Sequence, residues 1–274
     1  VMNVNMASAI REISVQKGRD PREFPLVCAG GAGAIHAAMI ARELGIGRIL
    51  VPREASIFCA SGMLRSDLKH DFVRSHAVPL ADETDPAPLV ALVDAMLDEA
   101  ASALSIEGIA AERRRFVLSL DLRYLGQYHE VSVVIPLAAV RAGDWAAVRE
   151  AFHDRHDQLY GYALREEGTQ VELVSLRLAA IGETDKPPQR HETRDGASAQ
   201  HALKGTREVW QPDRGAFADT PVYDGERLRC GNRIHGPAIV EKITTTVFVP
   251  GGFELEVDSL GGFLLADLST EAKR

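Results

Sequence analysis

FPLVCAGGAGAIHAAMIARELG, residues Phe24 to Gly45, is the stretch on which the reading of the chain turns. Phe24 to Ala29 form a short apolar run suited to a buried strand. Ala37, Ile40, Ala41 and Leu44 recur at i, i+3, i+4 and i+7, one face of a helix closed by Gly45. Between the two lie Gly30, Gly31, Ala32 and Gly33. Glycines at a strand-to-helix junction give the backbone conformations closed to other residues and let a ligand approach the main chain. The helix that follows offers unpaired N–H groups and a positive dipole end, both suited to phosphate. The loop is neither a Walker A loop, which ends in Gly-Lys-Ser/Thr, nor the GxGxxG fingerprint. By spacing alone, a phosphate site and a tight strand-to-helix turn are equally open.

Outward from this stretch the chain changes texture three times. Upstream, Met6, Ile10 and Ile13 fall at helical spacing, and Gly18 with Asp20-Pro21 ends that helix. Downstream, Arg48 to Val51 read as a second short strand stopped by Pro52, so strand, helix and strand imply a right-handed parallel crossover. Residues 1–76 form this first stretch. Residues 77–184 mix helix and strand. Asp85-Pro86 starts a helix carrying Leu89, Leu92, Val93, Met96 and Ala100 on one face. Phe116 to Tyr124 and Val131 to Ile135 alternate in the manner of a hairpin, a helix carries Trp145, Val148 and Phe152, and Val174 to Ala180 alternate again. Residues 185–206 are polar and irregular and read as a surface linker. Residues 207–274 break into short strand-like pieces, among them Pro221–Tyr223 and Phe253–Val257, and read as a compact β unit. The fold class expected is mixed α/β.

At 274 residues, 46% hydrophobic and 26% charged, the composition is that of a globular protein. No apolar run approaches the roughly 20 residues that span a bilayer, and no signal-peptide pattern opens the chain, so a cytoplasmic location is expected. A net charge of −8 without basic blocks argues against nucleic acid. Cys28, Cys59 and Cys230 are widely spaced and odd in number, which suggests reduced, partly buried thiols rather than zinc ligands or disulfides.

Other candidates carry weaker signals. His153 and His156, three apart on a helix beside Asp154 and Asp157, have metal-ligand spacing, but a solvated helix face explains them better. No metal site is therefore expected. His36, just inside the helix after the glycine loop, either faces a bound phosphate or packs beneath the loop. Asp67 and Asp71, read as i and i+4 on a helix near Lys69 and His70, fit a surface ion-pair cluster better than acid–base chemistry. Cys59 could act as a nucleophile only with a base beside it, and Ser61-Gly62 lacks the leading glycine of a nucleophile elbow. Thr244, Thr245 and Thr246 read as strand residues. No catalytic acid or base can be named.

Four blocks carry a family resemblance: the run from Ala9 through the glycine loop to Ser75, LDLRYLGQYHEVSVVIP (Leu120–Pro136), FHDRHDQLYGYALREEGTQVELVSLRL (Phe152–Leu178) and GPAIVEKITTTVFVPGGFELEVDSLGGFLL (Gly236–Leu265). In this order the chain resembles the C-terminal portion of the hydantoinase A/oxoprolinase family, itself similar to the actin/hexokinase/acetate-kinase ATPases. The resemblance implies that residues 1–76 end an ATPase-like lobe and that residues 77–274 form the family's C-terminal domain. It implies that Gly30, Gly31, Ala32 and Gly33 lie against a nucleotide. It further implies ATP and Mg²⁺, a hydantoinase B-type partner, an oligomer, and hydrolysis of a hydantoin or a 5-oxoproline-like ring. The opposite lobe, with its own phosphate loop and acidic metal-binding residues, would precede Val1, so the chain alone should be inactive. The related ketone carboxylase subunits, and a non-catalytic assembly role, remain the alternatives. Ala55-Ser56 and Cys59-Ala60-Ser61-Gly62 stand where many members read Pro-Gly and Ser-Ala-Leu-Gly, which leaves substrate specificity open.

Overall fold

The computed structural model describes residues 1–165 and 167–271. It divides into two compact units, Val1–Leu64 with Pro187–Arg274, and Arg65–Lys186. The linear order of sequence textures is therefore not the order of packing.

In the first unit, α1 (Met2–Ile13) precedes β1 (Leu26–Val27), α2 (Gly33–Leu44), β2 (Arg48–Val51) and α3 (Phe58–Met63). β1 and β2 are parallel, with Leu26 opposite Ile49 and Val27 opposite Leu50, as the crossover reading expects. The second unit contains β3 (Leu68–Pro79), α4 (Ala87–Ile106), β4 (Arg114–Tyr124), β5 (Val131–Val134), α5 (Leu137–Ala142), α6 (Trp145–Tyr160) and β6 (Val171–Gly182). The chain then returns to the first unit with β7 (Leu203–Gln211), β8 (Ala216–Asp224), β9 (Arg233–His235), β10 (Ala238–Glu241), β11 (Thr246–Val249), β12 (Phe253–Val257), β13 (Phe263–Asp267) and α7 (Leu268–Glu271).

Three sheets result: β1-β2-β13-β12-β9, β11-β10-β8-β7 and β3-β6-β4-β5. In the first, β13 runs antiparallel to β2, with Leu265 opposite Ile49 and Phe263 opposite Val51. The two ends of the chain thus complete one sheet. Its inward residues Ile49, Val51, Leu255 and Leu265 join the α2 face of Ala34, Ala37, Ala38, Ile40 and Ala41 in one core. Small alanines on that face bring the helix close to the strands beneath it. Arg42, on the last turn of α2, pairs with Asp213 at 2.6 Å and donates to the Gly251 carbonyl at 2.8 Å.

The second core is built from α4 (Leu89, Val93, Met96, Ala100), α6 (Trp145, Val148, Phe152) and one face of the β3-β6-β4-β5 sheet. The hairpin expected around Gly126 is present, with Ser119 opposite Val134 and Leu122 opposite Val131.

Two local expectations are corrected. Asp67 and Asp71 do not share a helical face: Leu68–Pro79 is a strand paired with β6, because His70, Phe72, Arg74, His76 and Val78 alternate with more exposed neighbours. Asp67 instead meets Lys186 at 2.5 Å, and Asp71 meets Lys69 at 3.0 Å. The segment read as a linker ends in structure, since a 3₁₀ turn at Gln200–Ala202 leads into β7, which pairs along its length with β8. Among the described residues no helix is long and apolar enough to cross a membrane.

Candidate functional site: the glycine loop

The glycine loop leaves β1 under restraint at both ends. Cys28 N–H donates to the Leu50 carbonyl at 2.8 Å, extending the parallel pairing by one bond, and Gly30 N–H donates to the Ala55 carbonyl at 2.6 Å. Gly30 takes φ +98°, a backbone region costly to any residue with a Cβ, and nothing lies within 4 Å of where that Cβ would be. The loop is open to solvent at this point.

α2 begins at Gly33 with Ala32 as its N-cap and no side-chain cap. The N–H groups of Gly31, Ala32, Gly33 and Ala34 find no acceptor among the described residues. An uncapped helix start carries partial positive charge on such donors, and an incoming oxyanion would satisfy them. Ala32 is exposed and Gly31 and Gly33 are half-buried, so much of the loop can be reached from solvent.

The second wall comes from far away in sequence. Thr245, in the turn between β10 and β11, donates its hydroxyl to the Gly31 carbonyl at 2.7 Å across 214 positions. Ser56 donates to the Thr244 hydroxyl at 2.6 Å. A Cβ on Gly31 would sit 2.9 Å from the Thr244 carbonyl oxygen, and one on Gly33 would sit 2.8 Å from Cys28 Sγ. Gly31 is therefore required by close packing against a backbone atom and Gly30 by its backbone angle, whereas Gly33 faces a side-chain sulfur that can turn aside. Of the three threonines only Thr246 lies in a strand; Thr244 and Thr245 latch the loop. No pattern local to Thr244-Thr245 signals this contact.

The other candidates divide. His36 Nδ1 meets Asn3 Oδ1 at 2.8 Å, which ties α2 to α1. Cys28 and Cys230 are buried and Cys59 is exposed. Burial raises the Cys28 thiol pKa above its usual value, consistent with packing rather than reactivity. Among the described residues, no group of three or more His, Cys, Asp or Glu side chains is placed to hold a metal ion.

His153 and His156 do not form a solvated face; they are 9% and 2% exposed. His153 Nδ1 meets the Tyr124 hydroxyl at 2.7 Å, and His156 Nδ1 meets the Tyr162 carbonyl at 2.8 Å. Tyr124, Phe152 and His156 make edge-on ring contacts, with Tyr124 and Phe152 centroids 4.9 Å apart. Helical spacing alone cannot separate a wet face from this one, because the covering residues come from β4 and the 160–164 loop.

An uncapped helix start behind a positive-φ glycine, beside a parallel strand pair, defines a class: a mixed α/β protein with an open, glycine-rich strand-to-helix loop. Residues 1–72 match the hydantoinase/oxoprolinase family and residues 86–267 match the hydantoinase/oxoprolinase C-terminal domain. The chain belongs to the hydantoinase/oxoprolinase family. It is 34% identical over 260 residues to the caprolactamase alpha subunit of Pseudomonas jessenii, covering 94% of this chain and 37% of that one. The crystal structure of the ATP-dependent caprolactamase from that organism superposes with a TM-score of 0.72 at 33% identity, over 97% of this chain and 38% of the other. A nucleotide-free structure of acetone carboxylase, titled for ATP-dependent acetone carboxylation, superposes with a TM-score of 0.84 at 26% identity, again over 97% and 38%. The chain thus spans little more than a third of the length of these relatives.

Proposed function

We propose that this chain is the C-terminal portion of an ATP-dependent cyclic amidase, and that Gly30, Gly31, Ala32 and Gly33 receive the phosphates of ATP. The carrying observation is the row of unpartnered N–H groups from Gly31 to Ala34 at an uncapped helix start. ATP-dependent relatives of two chemistries, a caprolactamase and an acetone carboxylase, support the use of ATP, and the caprolactamase supports a cyclic amide as the target.

An amide carbon is a poor electrophile. Transfer of the γ-phosphoryl group to the ring carbonyl oxygen forms a new P–O bond and releases ADP. Water then adds to the activated carbon, the ring C–N bond breaks as the nitrogen takes up a proton, and a second water hydrolyses the resulting acyl phosphate to the carboxylate and free phosphate. In such transfers the protein mainly positions groups and balances charge. The loop's part is to hold phosphate oxygens on fixed N–H donors, while Thr245 and Ser56 hold the loop still. The main-chain cradle fits phosphate; the side chains here do not make a Mg²⁺ site, so no step is assigned to Mg²⁺ in this chain. The metal ligands, the opposite wall of the cleft and a hydantoinase B-type partner are proposed to lie in the rest of the assembly.

Two measurements test the reading. On the intact gene product with its partner, ATP turnover should rise with a hydantoin, 5-oxoproline or a lactam. Turnover that requires bicarbonate and a ketone instead would favour the carboxylase role, which the acetone carboxylase superposition supports. A thermal melt of the intact product unmoved by Mg-ATP would leave only an assembly role. This chain alone should bind ATP weakly, and micromolar binding by calorimetry would refute the half-site proposal.

A further inference from the structure

The Arg65–Lys186 unit contains a cavity of about 370 Å³ beneath the turn after β3, bounded by α6 and the loop before β6. Arg149, His153, Arg165, Asp82, Glu83 and Thr169 contribute to its lining. Pockets of this size hold small organic molecules.

The state of His153 follows from its neighbours. The Leu164 N–H donates to the Tyr124 hydroxyl at 2.7 Å, so the single hydroxyl proton is free for His153 Nδ1, 2.7 Å away. This arrangement makes Nδ1 an acceptor and leaves the imidazole proton on Nε2. Nε2 has no partner among the described residues, yet no buried side-chain nitrogen or oxygen there lacks one. Nε2–H therefore opens onto the cavity that His153 lines.

Two further donors have no partner among the described residues. Arg149 spends its Nη atoms on the Leu80 carbonyl and Asp82, at 3.0 and 2.6 Å, leaving Nε. Arg165 spends Nε on Glu150 and Nη2 on Asp154, leaving Nη1. Both guanidinium charges are already offset by carboxylates, so the rim is not a strongly cationic one of the kind that draws a phosphate. It offers donors at His153, Arg149 and Arg165, and carboxylates at Asp82 and Glu83.

From these groups we infer that the cavity is a binding site for a small amino-acid zwitterion. Its carboxylate accepts from His153 Nε2 and the free guanidinium N–H groups, and its ammonium faces Asp82 and Glu83. Opening a cyclic amide, the reaction proposed above, releases a molecule of this class. That link rests on the earlier reading, whereas binding can be measured without turnover and fails or succeeds independently of it.

The test uses this chain with ¹⁵N-labelled histidine, with the His153 resonance assigned by its loss in His153→Gln. The probes are 5-aminopentanoate, acetate and butylamine. The expected result is a saturable shift of the His153 signal by 5-aminopentanoate, with acetate and butylamine each at least about tenfold weaker. The exposed substitution Glu83→Gln leaves the core and the Asp82–Arg149 pair intact. It should weaken 5-aminopentanoate about tenfold, the equivalent of one lost charged contact, and leave acetate unchanged. Equal binding of acetate and 5-aminopentanoate, or no shift of His153 by any probe, overturns the inference.

Discussion

Gly31→Ala isolates the packing of the glycine loop against the β10–β11 turn. The added methyl would lie 2.9 Å from the Thr244 carbonyl oxygen, a backbone atom. Relief requires separating the two loops by a few tenths of an ångström, against the Thr245–Gly31 bond at 2.7 Å and the Ser56–Thr244 bond at 2.6 Å. Overpacking of this kind costs about 1–3 kcal/mol. At about 2–4 °C per kcal/mol for a unit of this size, the melting temperature should fall by about 2–12 °C. Gly33→Ala is the internal control. Its methyl would meet Cys28 Sγ at 2.8 Å, a side-chain atom that can rotate away, and alanine favours the helix it would join. Its cost should be the smaller of the two. Thermal unfolding followed by circular dichroism, with both variants and the parent at one pH, measures the difference. A Gly31→Ala melt within about 1 °C of the parent, or a larger loss in Gly33→Ala, would refute the close-packing argument.

Tyr124→Phe removes a buried hydroxyl that serves the Leu164 N–H and His153 Nδ1 at once, and should cost about 1–3 kcal/mol in urea unfolding; a neutral result would mean that neither bond forms. Thr245→Val keeps the shape and removes only the latch to Gly31, so it should cost about 1 kcal/mol; in the intact enzyme it should raise the KM for ATP more than it lowers kcat, and a pure kcat effect would contradict a positioning role. Burial is the main cause holding the His153 imidazole below its ordinary pKa of 6.5; Arg165 and Arg149 add to this, while Glu150 and Asp154 oppose it. The unfolded chain therefore takes up this proton first, and stability should decline as pH falls below about 6.5. Glu241 and Asp67 are also held below their ordinary values, chiefly by their hydrogen bonds to Lys204 and Lys186, so their contributions are lost only below about pH 4.5. Unfolding free energies measured between these limits should flatten in His153→Gln, and an unchanged slope would place the effect elsewhere.

Hydrophobic periodicity within Phe24–Gly45 marks the α2 helix, and with Arg48–Val51 the parallel crossover, since these depend on neighbours within a few turns. The alternating runs of β4, β5 and β6 were legible for the same reason. The apolar run Phe24–Ala29, read as a buried strand, forms only the two-residue strand Leu26–Val27, with Phe24 and Val27 exposed, because it lies at the edge of its sheet. The four sequence blocks identified the family, because they preserve residue order along nearly the whole chain. Non-local facts were not legible. The pairing of β13 with β2, the latch from Thr245 to Gly31 and the burial of His153 and His156 each join segments whose sequences carry no mark of one another. The strand at Leu68–Pro79 was hidden in a similar way: Asp67 and Asp71 suit either period, and pairing with β6 decides between them. The glycines themselves announced a special backbone. Only the fold showed that Gly30 is needed for its angle and Gly31 for the wall pressed against it, because that wall, the Thr244 carbonyl, is supplied by a distant part of the chain.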